Sequence, residues 1–285
     1  MKAAAKKQTF HSVGGPVRAG PDPLAFRRWT GPGYDHRVSL PGFYSSLPPF
    51  RALFAEGLPM LMYHKCGRPP RRARLRGLYM PPPTFDRQLD ELCRHGFRSG
   101  SLDELPSSLA ARDQVVLTFD DGYRSVLQRA LPVLQKHGMT SINYLVPDLI
   151  GKSNVWDLAV GEVEEPLMTV DEVKQWLAAG QEIGAHTCTH PRLTRLPVDR
   201  AREEITASRK RLEDLFQRPV EHFCYPYGDW NPAVRDLVGE AGFRTATTVD
   251  FGVNKPGCGL LALTRITARY PSRNLKAWWR GLWGR

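Results

Sequence analysis

At 285 residues, 41% of them hydrophobic and 24% charged, the chain is long enough to bury one substantial core, and an α/β barrel of this size commonly forms a single domain. The net charge of +11 is concentrated at one end, because residues 1–77 hold 14 of the 40 Lys and Arg against only Asp22, Asp35 and Glu56. No basic, aromatic-interleaved binding motif accompanies that charge, which argues against a nucleic-acid-binding class, and five cysteines without a Cys-x-x-Cys pair suggest neither a disulfide framework nor a cysteine-type zinc knuckle.

Residues 1–57 are rich in Gly and Pro without sustained periodicity, which predicts an extended or poorly ordered basic arm. A domain is expected over 58–270, followed by a Trp/Arg-rich tail at 271–285. The first strand is expected at Leu58 to Tyr63, delivering His64 at its C-terminal end. The arginines between Arg68 and Arg76 read either as a solvated loop or as an attractor of anionic head groups or a pyrophosphate-linked substrate. Thr84 is the expected cap of a helix through Phe85, Leu89, Leu92 and Cys93 that stops at Gly96. Strands follow at Gln114 to Phe119 and Ser141 to Val146, separated by a helix from about Arg124 to Lys136. A helix from Thr169, a strand at Glu182 to Ala185, a helix from about Asp199 to Phe216 and a strand at Val220 to Tyr225 come next. A helix from Pro232 and strands around Thr245 to Val249 and Leu263 to Ala268 complete the pattern. Alternating strands and helices imply a mostly parallel sheet wrapped by helices.

Polar motifs fall at the C-terminal ends of the strands, where the active sites of such barrels assemble. Asp120-Asp121-Gly122 ends one strand and His186-Thr-Cys-Thr-His190 follows another. Two carboxylates and two imidazoles are the set needed to hold a divalent metal and activate a water beside it. On an extended strand end the adjacent aspartates point to opposite sides, so one can ligate while the other titrates. The histidines, four residues apart, could share one side of a helical turn.

The motifs Thr118-Phe-Asp-Asp-Gly122, Gly180-x-Glu-Ile-Gly-x-His186-Thr-x-x-His190 and Phe223-Cys-Tyr-Pro-Tyr-Gly228, in this order, resemble the NodB-type polysaccharide deacetylases, carbohydrate esterase family four. Thr84-Phe85-x-x-Gln88-Leu89 and Glu204-Ile205-x-x-Ser208 match as well. The resemblance implies a distorted (β/α) barrel that removes N-acetyl groups from amino sugars with a divalent metal, zinc foremost and cobalt or nickel as substitutes. It places Asp121, His186 and His190 on the metal ligands and Asp120 on the catalytic base, with a backbone N–H near Tyr227 facing the oxyanion. The family's usual acid is a C-terminal histidine, yet no histidine follows His222. The Phe-x-Tyr-Pro-x-Gly motif and Met62-Tyr63-His64 resemble the subgroup acting on poly-N-acetylglucosamine, which makes His64 the acid. The usual base-orienting arginine is also missing from the third motif, and Arg265 is its expected replacement. Trp156, Trp230, Tyr225 and Tyr227 are candidates for contact with a sugar.

The expected partner is an amino-sugar glycan or a lipid-linked oligosaccharide, with peripheral membrane contact through the basic loop and the Trp-rich tail. The start of the chain lacks the apolar stretch of a secretory signal, so the cytoplasm, at the inner membrane face, is the expected location. N-deformylation, O-deacetylation and a glycan-binding protein without turnover are the alternatives.

Overall fold

The computed structural model describes residues 40–270; residues 1–39 of the arm expected over 1–57, and the tail at 271–285, lie outside the described residues. The strands are β1 (Leu58–Tyr63), β2 (Lys65–Cys66), β3 (Tyr79–Met80), β4 (Arg98–Ser99), β5 (Gln114–Phe119) and β6 (Ile142–Leu145). They continue with β7 (Glu182–Ala185), β8 (His222–Cys224), β9 (Thr245–Thr247), β10 (Val253–Asn254) and β11 (Ile266–Thr267). The helices are α1 (Arg51–Phe54), α2 (Pro82–Arg94), α3 (Leu105–Ala110), α4 (Leu131–Lys136), α5 (Val155–Leu158), α6 (Val170–Ala178), α7 (Val198–Phe216) and α8 (Pro232–Glu240).

Strands β1, β5, β6, β7, β8 and β9 run parallel in that order, and β11 pairs in parallel with the other edge of β1. A parallel bridge from Thr247 in β9 to Leu263, which leads into β11, brings the two ends of the sheet round toward each other. The result is a curled, distorted (β/α) barrel, as the family resemblance implies, with the mostly parallel sheet expected from the order of strands and helices.

The period-2 alternation of the strands divides the core in two. Met60, Val116, Ile142, Tyr144, Cys224 and Leu263 form the interior cluster. Leu61, Leu117, Phe119, Leu145 and Phe223 belong to the larger cluster under the helices. Gly184 makes room for the interior, since a Cβ there would lie 2.5 Å from the Tyr144 ring. Thr169 caps α6 in a capping box with Glu172, satisfying two donors that the helix leaves unpaired.

Three local expectations need correction. Residues 40–57 are not part of an extended arm. Tyr44 pairs with Ala268, its N–H donating to the Thr267 carbonyl, and its ring packs on Phe50 and Phe54 at 5.4 and 5.8 Å. The apolar spacing there is helical but spans too few residues to register as a period. Helix α2 begins at Pro82 rather than behind a Thr84 cap, because Pro82 and Pro83 fill first-turn positions whose N–H groups would be unbonded anyway. The helix expected from Arg124 to Lys136 is wound as a π-helix over Val126–Ala130 before α4. Pro132 has no N–H to offer Gln128, so the preceding turn widens.

Candidate active site

The inward line of β5 runs Val116, Thr118, Asp120, so Asp120 continues the interior face at the C-terminal mouth of the barrel. There it meets Arg265, which precedes β11 and is 1% exposed. The guanidinium forks onto the carboxylate, Nη1 donating to Oδ1 at 2.7 Å and Nη2 to Oδ2 at 2.8 Å. Its remaining N–H groups donate to the Thr248 carbonyl at 2.7 Å, Thr118 Oγ1 at 3.0 Å and Cys224 Sγ at 3.2 Å. All five donors of the guanidinium are thereby bonded, the condition under which such a charge can be buried. Burial would push the Asp120 carboxyl up, but Arg265, with His64 beside it, holds it below the usual carboxylate range.

Asp121 leaves the strand line at a φ of 76°. Thr187, His190 and Tyr227 also have positive φ, at 61°, 66° and 59°. Four of the five described non-glycine residues in this sparsely populated region therefore cluster at the mouth of the barrel, where packing holds strained backbone in place. The histidines accordingly stand on a loop, not on the helical turn that their spacing allowed. Glu204 of α7 braces that loop from behind: its carboxylate accepts the Cys188 and Thr189 N–H groups at 2.9 and 3.0 Å and the Thr189 hydroxyl at 2.7 Å.

Asp121 Oδ1 lies 3.4 Å from His186 Nε2 and 3.3 Å from His190 Nε2. His186 Nδ1 is 2.7 Å from the Cys224 carbonyl, which can only accept, so the ring donates there and turns Nε2 toward Asp121. Burial would raise Asp121, but hydrogen bonding to the two imidazoles holds it well below the carboxylate range. Burial would lower His186, but Cys224 and the hydrogen bond to Asp121 hold it well above the ordinary histidine range, so a proton or a cation stands between its Nε2 and the ionised oxygen. The three donor atoms, two nitrogens and one oxygen within 4.8 Å of one another, suit a divalent transition metal. A second convergent set, Asp120, His186 and Cys224, is less suited, because Arg265 occupies both oxygens of Asp120. Burial also pushes His190 below the ordinary histidine range, which favours the neutral form that a ligand needs.

His64 follows β1 and places Nε2 3.7 Å from Asp120 Oδ2. Burial pushes its imidazole below the ordinary value, against the pull of Asp120. Trp156 stacks on His190 at 4.4 Å, and Tyr227 meets the same ring edge-on at 4.5 Å. Tyr225 does not line the cleft. It is fully buried, its hydroxyl donates to the Leu261 carbonyl at 2.8 Å, and its ring packs on Phe223 and Trp230. The reason is positional, since the chain turns over Pro226–Gly228 immediately after it and leaves Tyr227 half-exposed instead.

Sequence reasoning passed over the positions of Glu204, Cys224 and Asp157. Glu204 was visible only as a motif match. Cys224 contributes its carbonyl to His186 and lies 3.6 Å by its sulfur from Asp120. Asp157, beside Trp156, is pushed up to about 6 by burial and by the charge of Asp121. Glu204→Ala is expected to loosen the histidine loop and weaken metal affinity by about 10- to 100-fold with the fold intact, measured by metal titration and circular dichroism. Unchanged affinity would remove Glu204 from this role.

Residues 109–246 match the polysaccharide deacetylase family. Among curated proteins, YxkH of Bacillus subtilis (strain 168), itself named only provisionally as a polysaccharide deacetylase, is 26% identical over 73% of this chain and 70% of its own length. Among solved structures, the Streptococcus pyogenes deacetylase PplD in complex with acetate superposes with a TM-score of 0.65 at 24% identity, covering 77% of this chain and 97% of its own. IcaB from Ammonifex degensii gives 0.65 at 24% identity, over 78% and 97%. At that identity the two structures establish the fold. With the family match over residues 109–246 they lead to one assignment: this chain carries a polysaccharide deacetylase domain of the NodB type.

Proposed function

We propose that this protein is a metal-dependent N-deacetylase acting on N-acetylhexosamine units of a polysaccharide or lipid-linked glycan precursor. The reading rests above all on the ionised Asp121 oxygen facing two imidazole nitrogens at 3.4 and 3.3 Å, next to an Asp120 held by the Arg265 fork. Asp121, His186 and His190 would hold the cation, zinc foremost. When bound, it supplies Lewis acidity toward the amide carbonyl and an adjacent water.

Asp120 accepts the proton of the attacking water, and Arg265 keeps it ionised and aimed for that task. The depressed pKa of His64 makes it a ready donor to the departing amine. Asp120, 3.7 Å away, can pass on to it the proton taken from water. The proton count then closes within the pair. The Tyr227 backbone N–H is assigned to the developing oxyanion, and Trp156 to the wall against which a sugar packs. Five free cysteines favour a reducing compartment and hence a precursor modified in the cytoplasm.

Product analysis tests the reaction. N-acetylglucosamine oligomers incubated with metal-reconstituted protein are expected to yield acetate and a new primary amine in equal amounts. His64→Ala is expected to lower that rate by about 10²- to 10⁴-fold while retaining metal. Release of formate from an N-formyl sugar, or of acetate without a new amine from an O-acetyl sugar, in place of this reaction would overturn the N-deacetylase reading.

A further inference from the structure

The chain beyond His64 enters a buried charge cluster. The Lys65 ammonium lies 3.8 Å from Glu162 Oε1 and 4.8 Å from the ring centres of both Tyr79 and Tyr123. The other Glu162 oxygen accepts the backbone N–H groups of Arg74 and Leu75. A single carboxylate thereby fastens three segments together: β2, the arginine-bearing loop, and the turn that follows α5.

That loop exposes Arg68, Arg71, Arg72, Arg74 and Arg76, and among the described residues no carboxylate pairs with any of them. Elsewhere on the surface Arg94, Arg98, Arg200 and Arg202 each face a carboxylate, while Arg51, Arg87 and Arg195 stand singly; among the described residues only this loop gathers five such arginines within nine residues. The turn fastened to the loop is apolar: Val155, Leu158 and Val160 are 48%, 41% and 55% exposed. The two surfaces are continuous, because the Arg74 guanidinium lies within 3.1 Å of where a Cβ on Gly161 would be. The same short helix carries Trp156, stacked on His190, so this combined surface borders the cleft.

A solvated basic loop has no use for exposed aliphatic neighbours, and neither has a site for a soluble phosphate. Aliphatic side chains beside guanidinium groups that face no carboxylate match the boundary of an anionic bilayer, where phosphates meet acyl chains. We propose that residues 68–76 and 155–161 form a docking surface for an anionic lipid bilayer, which holds the mouth of the barrel at the membrane. This docking does not depend on which bond the site hydrolyses.

Co-sedimentation of the full-length protein with lipid vesicles tests it. Binding is expected to vesicles containing phosphatidylglycerol and to be much weaker with phosphatidylcholine alone. Each arginine near an anionic surface contributes about fivefold, so a combined Arg71→Glu and Arg72→Glu variant should bind at least about 25-fold more weakly. A Leu158→Ser, Val160→Ser variant should also bind more weakly, and its residual binding should vanish at high salt. Both variants should keep wild-type turnover of a soluble substrate, or wild-type circular dichroism if no turnover is found. Wild-type vesicle binding by both variants would overturn the proposal, since residues outside this surface would then suffice. Displacement by inorganic pyrophosphate, with the Leu158/Val160 variant binding as wild type, would overturn it in favour of a soluble phosphate site.

Discussion

Replacing Arg265 with Met is expected to destabilise the protein by about 3–5 kcal/mol, because it strips the partner from a buried carboxylate. Asp120 is 3% exposed and takes both of its close charged contacts from the Arg265 fork, with His64 standing further off. At the size of this domain the loss corresponds to a fall in melting temperature of about 10 °C, measurable by thermal or urea unfolding. Two further variants separate charge from geometry. Arg265→Lys restores the charge without the fork, so stability should recover in part while turnover stays low. The double replacement Arg265→Met, Asp120→Asn removes both charges and should be more stable than Arg265→Met alone. A loss below about 1 kcal/mol for Arg265→Met would contradict the buried-pair description.

Asp120→Asn is expected to lower turnover by about 10²- to 10⁴-fold, because it removes the acceptor of the water proton while preserving the side chain's shape. Asp121, His186 and His190 are untouched by this change, so metal affinity should stay near the wild-type value. That separation gives the prediction its force, since the adjacent Asp121→Asn should lower turnover through loss of metal. Steady-state rates and metal titration on the same preparations distinguish the two aspartates. Asp120→Asn turnover within tenfold of wild type would transfer the base role elsewhere.

Much of this site could be read in the chain because its ligands sit at strand ends, and strands declare themselves by their apolar runs. β1, β5 and β7 coincide with the runs Leu58 to Tyr63, Gln114 to Phe119 and Glu182 to Ala185. Asp120, Asp121 and His186 follow directly from those boundaries. Arg265 is expected because Leu263-Thr-Arg-Ile266 resembles a subgroup arginine near the last strand, and the fork on Asp120 is the contact that such a role demands. Other features depend on contacts across the barrel that no local pattern encodes. The contact of Glu204 with the histidine loop requires α7 to cross behind β7, and the donation from His186 to Cys224 requires the pairing of β7 with β8. Tyr225 and Tyr227 are two residues apart in one motif, and only the backbone turn at Tyr227 decides that the first faces the core and the second the cleft. The exposed aliphatics of α5 are likewise unremarkable in sequence and gain meaning only beside the arginines to which Glu162 ties them.

Asp121, His186 and His190 are proposed to hold the cation on which hydrolysis depends. The most direct measurement strips the protein with a chelator, adds zinc in stepwise fractions of an equivalent, and follows acetate release alongside bound metal. Activity should return in proportion to bound zinc and level off at one equivalent, with Asp121→Ala neither binding the metal tightly nor regaining activity. Full acetate release by the stripped wild-type protein, or restoration of the Asp121→Ala variant by the same single equivalent, would contradict the account.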